Sequence, residues 1–217
     1  MARYQGWITK IGAIATRLGQ GPVSEAKFDE AVARINDLAA KASEALKKLR
    51  DVDDTPMALQ IDGTAEAAGV DTRAEGDLRA TLTDHGSVSV AVGCARFEAA
   101  ASGGAEVAFA DAGSLVLGAD LVLSADVRRT GANWEVATHK VVAIDFDCVE
   151  LHRALSFNLA VETRSDAVWS VAEGNLATAA FDVVARGEDS LAEADVDVLT
   201  VEDRYSGSTV DATLAIG

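Results

Sequence analysis

The chain has 217 residues with 19 Lys/Arg against 35 Asp/Glu, a net charge of −16, and this balance disfavours a broad nucleic-acid-binding surface. Hydrophobic residues make up 49% but aromatics only 5%, enough apolar content to exclude global disorder and small enough in kind to favour thin packing layers. Two cysteines, Cys94 and Cys148, are too few for a disulfide scaffold and are expected to be buried thiols.

Charge divides the chain in two. Residues 1–50 carry nine Lys/Arg and five Asp/Glu, whereas residues 51–217 carry ten and thirty. The expected organisation is a basic helical arm over 1–54 followed by an acidic all-β body over 55–217. Within the arm, Trp7, Ile11, Ile14 and Leu18 recur at helical spacing, giving a helix over about 4–18. Gly19, Gly21 and Pro22 break it over 19–23. Ser24 then caps a second helix over about 24–50, where Phe28, Val32, Ile35, Ala39, Ala42, Leu46 and Leu49 alternate by four and three. That is a coiled-coil seam of about three heptads, with Lys27, Arg34, Lys41 and Lys48 on the outer face. The seam serves equally well to pair with a second copy or to pack on the chain's own sheet. Residues 1–20 are also a candidate membrane-surface helix, with Trp7 on the apolar stripe and Arg3, Lys10 and Arg17 flanking it. The same cations interrupt any secretory h-region, so cytoplasmic synthesis, or assembly into a particle made there, is expected.

Asp51, Asp53, Asp54 and Pro56 form a polar linker, after which the period changes to two. Val88, Val90 and Val92 share one strand face. Leu115 through Val127 reads as a single alternating strand, with Asp126 on the face opposite Leu115 and Val127. Trp134, Val136, Val142, Ile144 and Phe146 form another apolar face, and Leu155, Phe157, Leu159 and Val161 the next. Trp169, Val171, Ala177, Ala179, Phe181 and Val183 follow as one strand, and Val210, Ala212, Leu214 and Ile216 close the chain. The fold class is therefore mainly β, an antiparallel meander of roughly 8–10 long strands, closed as a barrel or stacked as a sandwich.

Chemical motifs are sparse. Asp145, Asp147, Cys148, Glu150 and His152 form the densest ligand cluster, and Asp145, Asp147 and His152 are the metal candidates, weighed against an ordinary acidic surface. His85, His139 and His152 share no ligand spacing, and a lone histidine on a strand face, such as His139, is expected at the surface. The sequence has neither a Gly-x-Ser-x-Gly elbow nor a phosphate-binding loop, so no catalytic or cofactor-binding residue is assigned and an enzyme is not expected.

An amphipathic arm with a heptad helix before an all-β body is similar in layout to subunits of virion fibres and other assembled particles. The resemblance is one of architecture, and it implies a structural subunit of a homo-oligomeric assembly. Trp7, Ile11, Ile14, Leu18, Phe28, Val32, Ile35, Leu46 and Leu49 are the expected interface residues, and the partner is the chain itself. The alternative is a β-barrel that binds an apolar ligand or lipid, with the first helix against a membrane. The excess of Asp over Glu and of Arg over Lys fits a protein that works at high salt.

Overall fold

A computed structural model describes residues 30, 33, 34, 37–41, 56–104, 106–146 and 155–217. Among the described residues of the body there are ten strands of 10–14 residues: β1 (Met57–Ala68), β2 (Asp71–Asp84), β3 (Ser89–Ser102), β4 (Val107–Leu117), β5 (Leu121–Thr130), β6 (Trp134–Asp145), β7 (Leu155–Arg164), β8 (Asn175–Arg186), β9 (Leu191–Val201) and β10 (Tyr205–Ile216). Of the arm, the described residues are helical, with Ala39 buried and Glu30, Arg34, Asp37 and Lys41 exposed. Lys41 pairs with Asp37 one turn before it at 2.6 Å. The nine expected interface residues, and most of the seam, lie outside the described residues.

The strands form a sandwich rather than a barrel. A four-stranded sheet, in the order β4-β1-β10-β9, faces a six-stranded one, in the order β7-β5-β6-β3-β2-β8. The expected antiparallel meander holds in part. Strand β7 runs parallel to β5, and β8 runs parallel to β2. Both parallel strands arise from long-range crossings that period-two patterning cannot show.

One crossing is well defined. Residues 165–174 carry the chain from β7 to β8, the two opposite edges of the large sheet. Five strand spacings of about 4.8 Å are roughly 24 Å, within reach of ten extended residues at about 3.3 Å each. This strap is pinned along its path. The Asn133 amide donates to Ala101 O and Trp169 O, and Asn133 Oδ1 accepts from Trp169 N at 2.9 Å. Trp134 stacks on Trp169 with centroids 4.4 Å apart and donates its indole N–H to Ala167 O. Trp169 and Val171 therefore belong to the strap and not to β8. Gly174, at φ +99°, makes the turn into β8.

A second break separates β4 from β5. The alternation from Leu115 to Val127 runs unbroken in sequence, but Gly118 adopts φ +73° and the chain leaves one sheet for the other there. A Cβ at Gly118 would also meet Pro56 O at the start of β1, so both conformation and space require glycine.

Between the sheets the core is built from short side chains. Ala65, Ala67, Ala74, Ala80, Ala95 and Ala99 pack with Leu59, Ile61, Leu78, Leu82 and Leu214. Phe97 is fully buried and fits because glycine lies on both sides of its ring: a methyl at Gly76 would stand 2.6 Å from Cε1, and one at Gly63 2.8 Å from Cζ. Strands β3 and β6 are buried on both faces where Val90 and Val92 lie opposite Ile144 and Val142. Ala91, Ala95, Val141 and Ala143 face the small sheet, whereas Val90, Val92, Val142 and Ile144 are buried on the opposite side. Strand β10 follows the simpler expectation, with Val210, Ala212, Leu214 and Ile216 inward.

Candidate functional site

The large sheet is two strands wider than the small one. Strand β4 lies over β6 and β3, so β5 and β7 continue past it as a ledge about 10 Å wide. The register places Ser124, Asp126 and Arg128 of β5 and Asn158, Ala160 and Glu162 of β7 on the side of the ledge turned toward the small sheet. All of these side chains except Ala160 are polar, as a solvated ledge requires.

At the root of the ledge three side chains are connected. Asp126 and His139 are directly opposite in the β5/β6 register, so their side chains emerge on one face. Asp126 Oδ1 lies 2.5 Å from His139 Nδ1. Ser114 descends from β4 of the facing sheet, and its Oγ lies 2.7 Å from His139 Nε2. With the ring proton on Nδ1 and donated to Asp126, Nε2 is left to accept from the Ser114 hydroxyl. The ring is 5% exposed, which corrects the expectation that His139 lies on the surface. Asp126 reaches water with 39% of its side chain.

Arg128 fixes the neighbouring part of the rim. It pairs with Glu135, donates to Ala110 O at 3.1 Å, and lies 5.6 Å over the Phe109 ring. The hydrogen bond to Glu135, more than any other factor, pushes the guanidinium pKa further up. The bond to Ala110 O also orients β4. That carbonyl points away from β1, so the same-parity residues Ala112, Ser114 and Val116 turn their N–H groups toward the ledge.

The register explains why the triad was hidden in the sequence. Ser114 and Asp126 have the same parity within what reads as a single strand, which places them on one face of one sheet. The break at Gly118 puts them instead on facing sheets, each turned toward His139. A glycine inside a long alternating run was the available signal.

The outer face of the small sheet carries acid. Asp62, Asp211 and Asp195 stand side by side across β1, β10 and β9. Asp111 of β4 and Asp197 of β9 flank the next row, Thr64–Thr209. The Asp62 carboxyl is pushed above its usual range, first by burial and then by the charges of Asp211 and Asp111. Gln60 donates its amide to Asp211 at 3.2 Å. Glu193, Asp195 and Asp197 are exposed on β9, the solvated acidic face their spacing suggests.

Of the metal candidates, Asp145 ends β6 on the same face as His139, while Asp147 and His152 lie outside the described residues. Among the described residues no three His, Cys, Asp or Glu side chains come together as ligands. Cys94 is half-buried, less than expected, and Cys148 lies outside the described residues.

The edges of the two sheets differ in protection. All ten residues of β7 are exposed, and Leu155, Phe157, Leu159 and Val161 share one face of it. Strand β4 adds exposed Val107, Phe109, Leu115 and Leu117, and β9 adds Leu191, Leu199 and Val201. Among the described residues no helix is long and apolar enough to cross a membrane.

No family model, curated protein or solved structure matches this chain.

Proposed function

We propose that this chain is a structural subunit of a homo-oligomeric assembly of the virion, fibre or particle kind, and that its edge strands make the contacts. The observation that carries the reading is β7. Soluble monomers blunt their sheet edges with charge, proline, bulges or a covering segment. From Leu155 to Val161, β7 has no charged residue and no proline, and among the described residues it is an edge strand that offers one unpaired backbone side and an apolar row. A second copy supplies what is missing: backbone partners for the edge and an apolar row to cover Leu155, Phe157, Leu159 and Val161. The basic arm and the acidic body add a charge complementarity that suits contact between copies. Assembly is the primary role in this reading, and it needs no catalysis, cofactor or nucleic acid.

The other sequence expectation, a barrel around an apolar ligand, loses its main support, because the space between the sheets is filled by the chain's own side chains. Solution mass tests the proposal. A defined oligomer at micromolar concentration is expected in low and in molar salt, and a monomer in both would overturn it.

A further inference from the structure

We propose that Ser114 is a nucleophile, activated by His139 and Asp126, that accepts an acyl group from a small polar carboxylic ester bound on the β5–β7 ledge. The proposal does not rest on the assembly reading. Its first support is the identity of the atoms. The carboxylate meets Nδ1 and the hydroxyl meets Nε2, the arrangement in which the ring can take the Ser114 proton while Asp126 stabilises the imidazolium that results.

The second support is location. On the inward face of β6, His139 stands among Ala137, Val141 and Ala143, in a core made of short aliphatic side chains. A residue chosen only for packing would be another Ala or Val. The imidazole and its two partners instead occur where the small sheet ends and the large one continues. Ser114 is half-buried there, and Asp126 is open to water.

The third support is β4 itself. Its backbone runs beside Ser114 as the edge strand of the small sheet among the described residues, and the alternation that turns Ala110 O outward turns the N–H groups of Ser114 and Val116 to the ledge side. Such donors are what a developing oxyanion needs. The ledge floor, with Ser124, Asn158 and Glu162, selects a polar substrate over a greasy one.

The chemistry balances with water as the only co-reactant. Ser114 Oγ attacks the ester carbonyl carbon while its proton passes to His139 Nε2. The tetrahedral adduct collapses, the C–O bond to the alcohol breaks, and the leaving oxygen takes that proton. Water then attacks the acyl group by the same route, releases the carboxylic acid and restores the hydroxyl.

The experiment treats the full chain with a fluorophosphonate probe, in which Ser114 would displace fluoride, and with p-nitrophenyl acetate. One adduct per chain, mapped to Ser114 by peptide mass spectrometry, is expected, with a burst of nitrophenolate. Ser114→Ala should abolish both signals, and Asp126→Asn should slow them at least 100-fold while leaving the circular dichroism spectrum and melting temperature close to wild type. Asp126 is the test variant because its carboxylate is at the surface, and His139→Gln serves as a second if it folds. Absence of an adduct on folded wild-type protein would overturn the proposal. So would labelling that persists in Ser114→Ala, or a Ser114→Ala that melts earlier while wild type stays unlabelled, which would make the three residues a tie between the sheets.

Discussion

Phe157 is the side chain whose replacement separates assembly from monomeric folding. It is 59% exposed on β7, in the middle of the apolar row and on the free edge of the large sheet. Fully burying a phenylalanine is worth up to about 3 kcal/mol, so covering the exposed part of this one contributes about 1.5 kcal/mol. In a contact between two copies of β7 related by a twofold axis the residue occurs twice, giving about 3 kcal/mol, or roughly 100-fold in dissociation constant. Phe157→Asp removes that contribution and adds a charge that would lose its water on association. The assay is sedimentation velocity over a concentration series, paired with thermal unfolding of the monomeric fraction. The expected result is a shift of at least 100-fold in the association midpoint with a smaller change in monomer stability, because most of the residue is already exposed in the single chain. A variant that associates like wild type would refute the role assigned to β7. Wild type that is itself monomeric throughout would refute the assembly reading as a whole.

Other expectations follow from the same packing. Gly63→Ala should destabilise by about 1–3 kcal/mol in urea unfolding, because the added methyl has no room beside the Phe97 ring. Phe97→Leu made in the same chain should recover part of the loss, and additive effects of the two substitutions would show that the ring is not wedged. Trp169→Ala should cost about 2 kcal/mol and loosen hydrogen-exchange protection at the start of β8, since it removes the stack that pins the strap. Asp62→Asn should raise stability by about 0.5 kcal/mol at pH 7 in low salt, because it removes one like charge from a row of three. The pH dependence has a definite sign. A carboxyl whose pKa is raised on folding is destabilising while ionised, so the gain from Asp62→Asn should fade as pH falls through the raised value toward 3.8. Molar salt should shrink it too, by screening the row.

The legibility of the sequence differed between parts of the chain for physical reasons. Strand β10 was read correctly because it lies in the middle of a sheet covered on one side only, where inward and outward residues alternate as simple patterning assumes. The central strands β3 and β6 were harder. Over part of their length both faces are buried, so the apolar face read from Trp134 to Phe146 is real but turns away from the main core. The run from Leu115 to Val127 misled most, because alternation continues through Gly118 while the chain changes sheets. That one break concealed the site, since it is what turns Ser114 and Asp126 toward each other across His139.

Local pattern was enough to establish the content of the body: long strands, Ala- and Val-rich layers, many acidic residues and turns at the polar breaks. Those properties depend on neighbours along the chain, and period and composition report neighbours along the chain. Which strands became edges, which two run parallel, and the two-strand excess of the large sheet over the small one emerge only when the strands pack. Those outcomes depend on contacts between residues far apart in sequence, such as β2 with β8 and β5 with β7. Both candidate surfaces, the bare edge of β7 and the ledge beside Ser114, come from that mismatch in width.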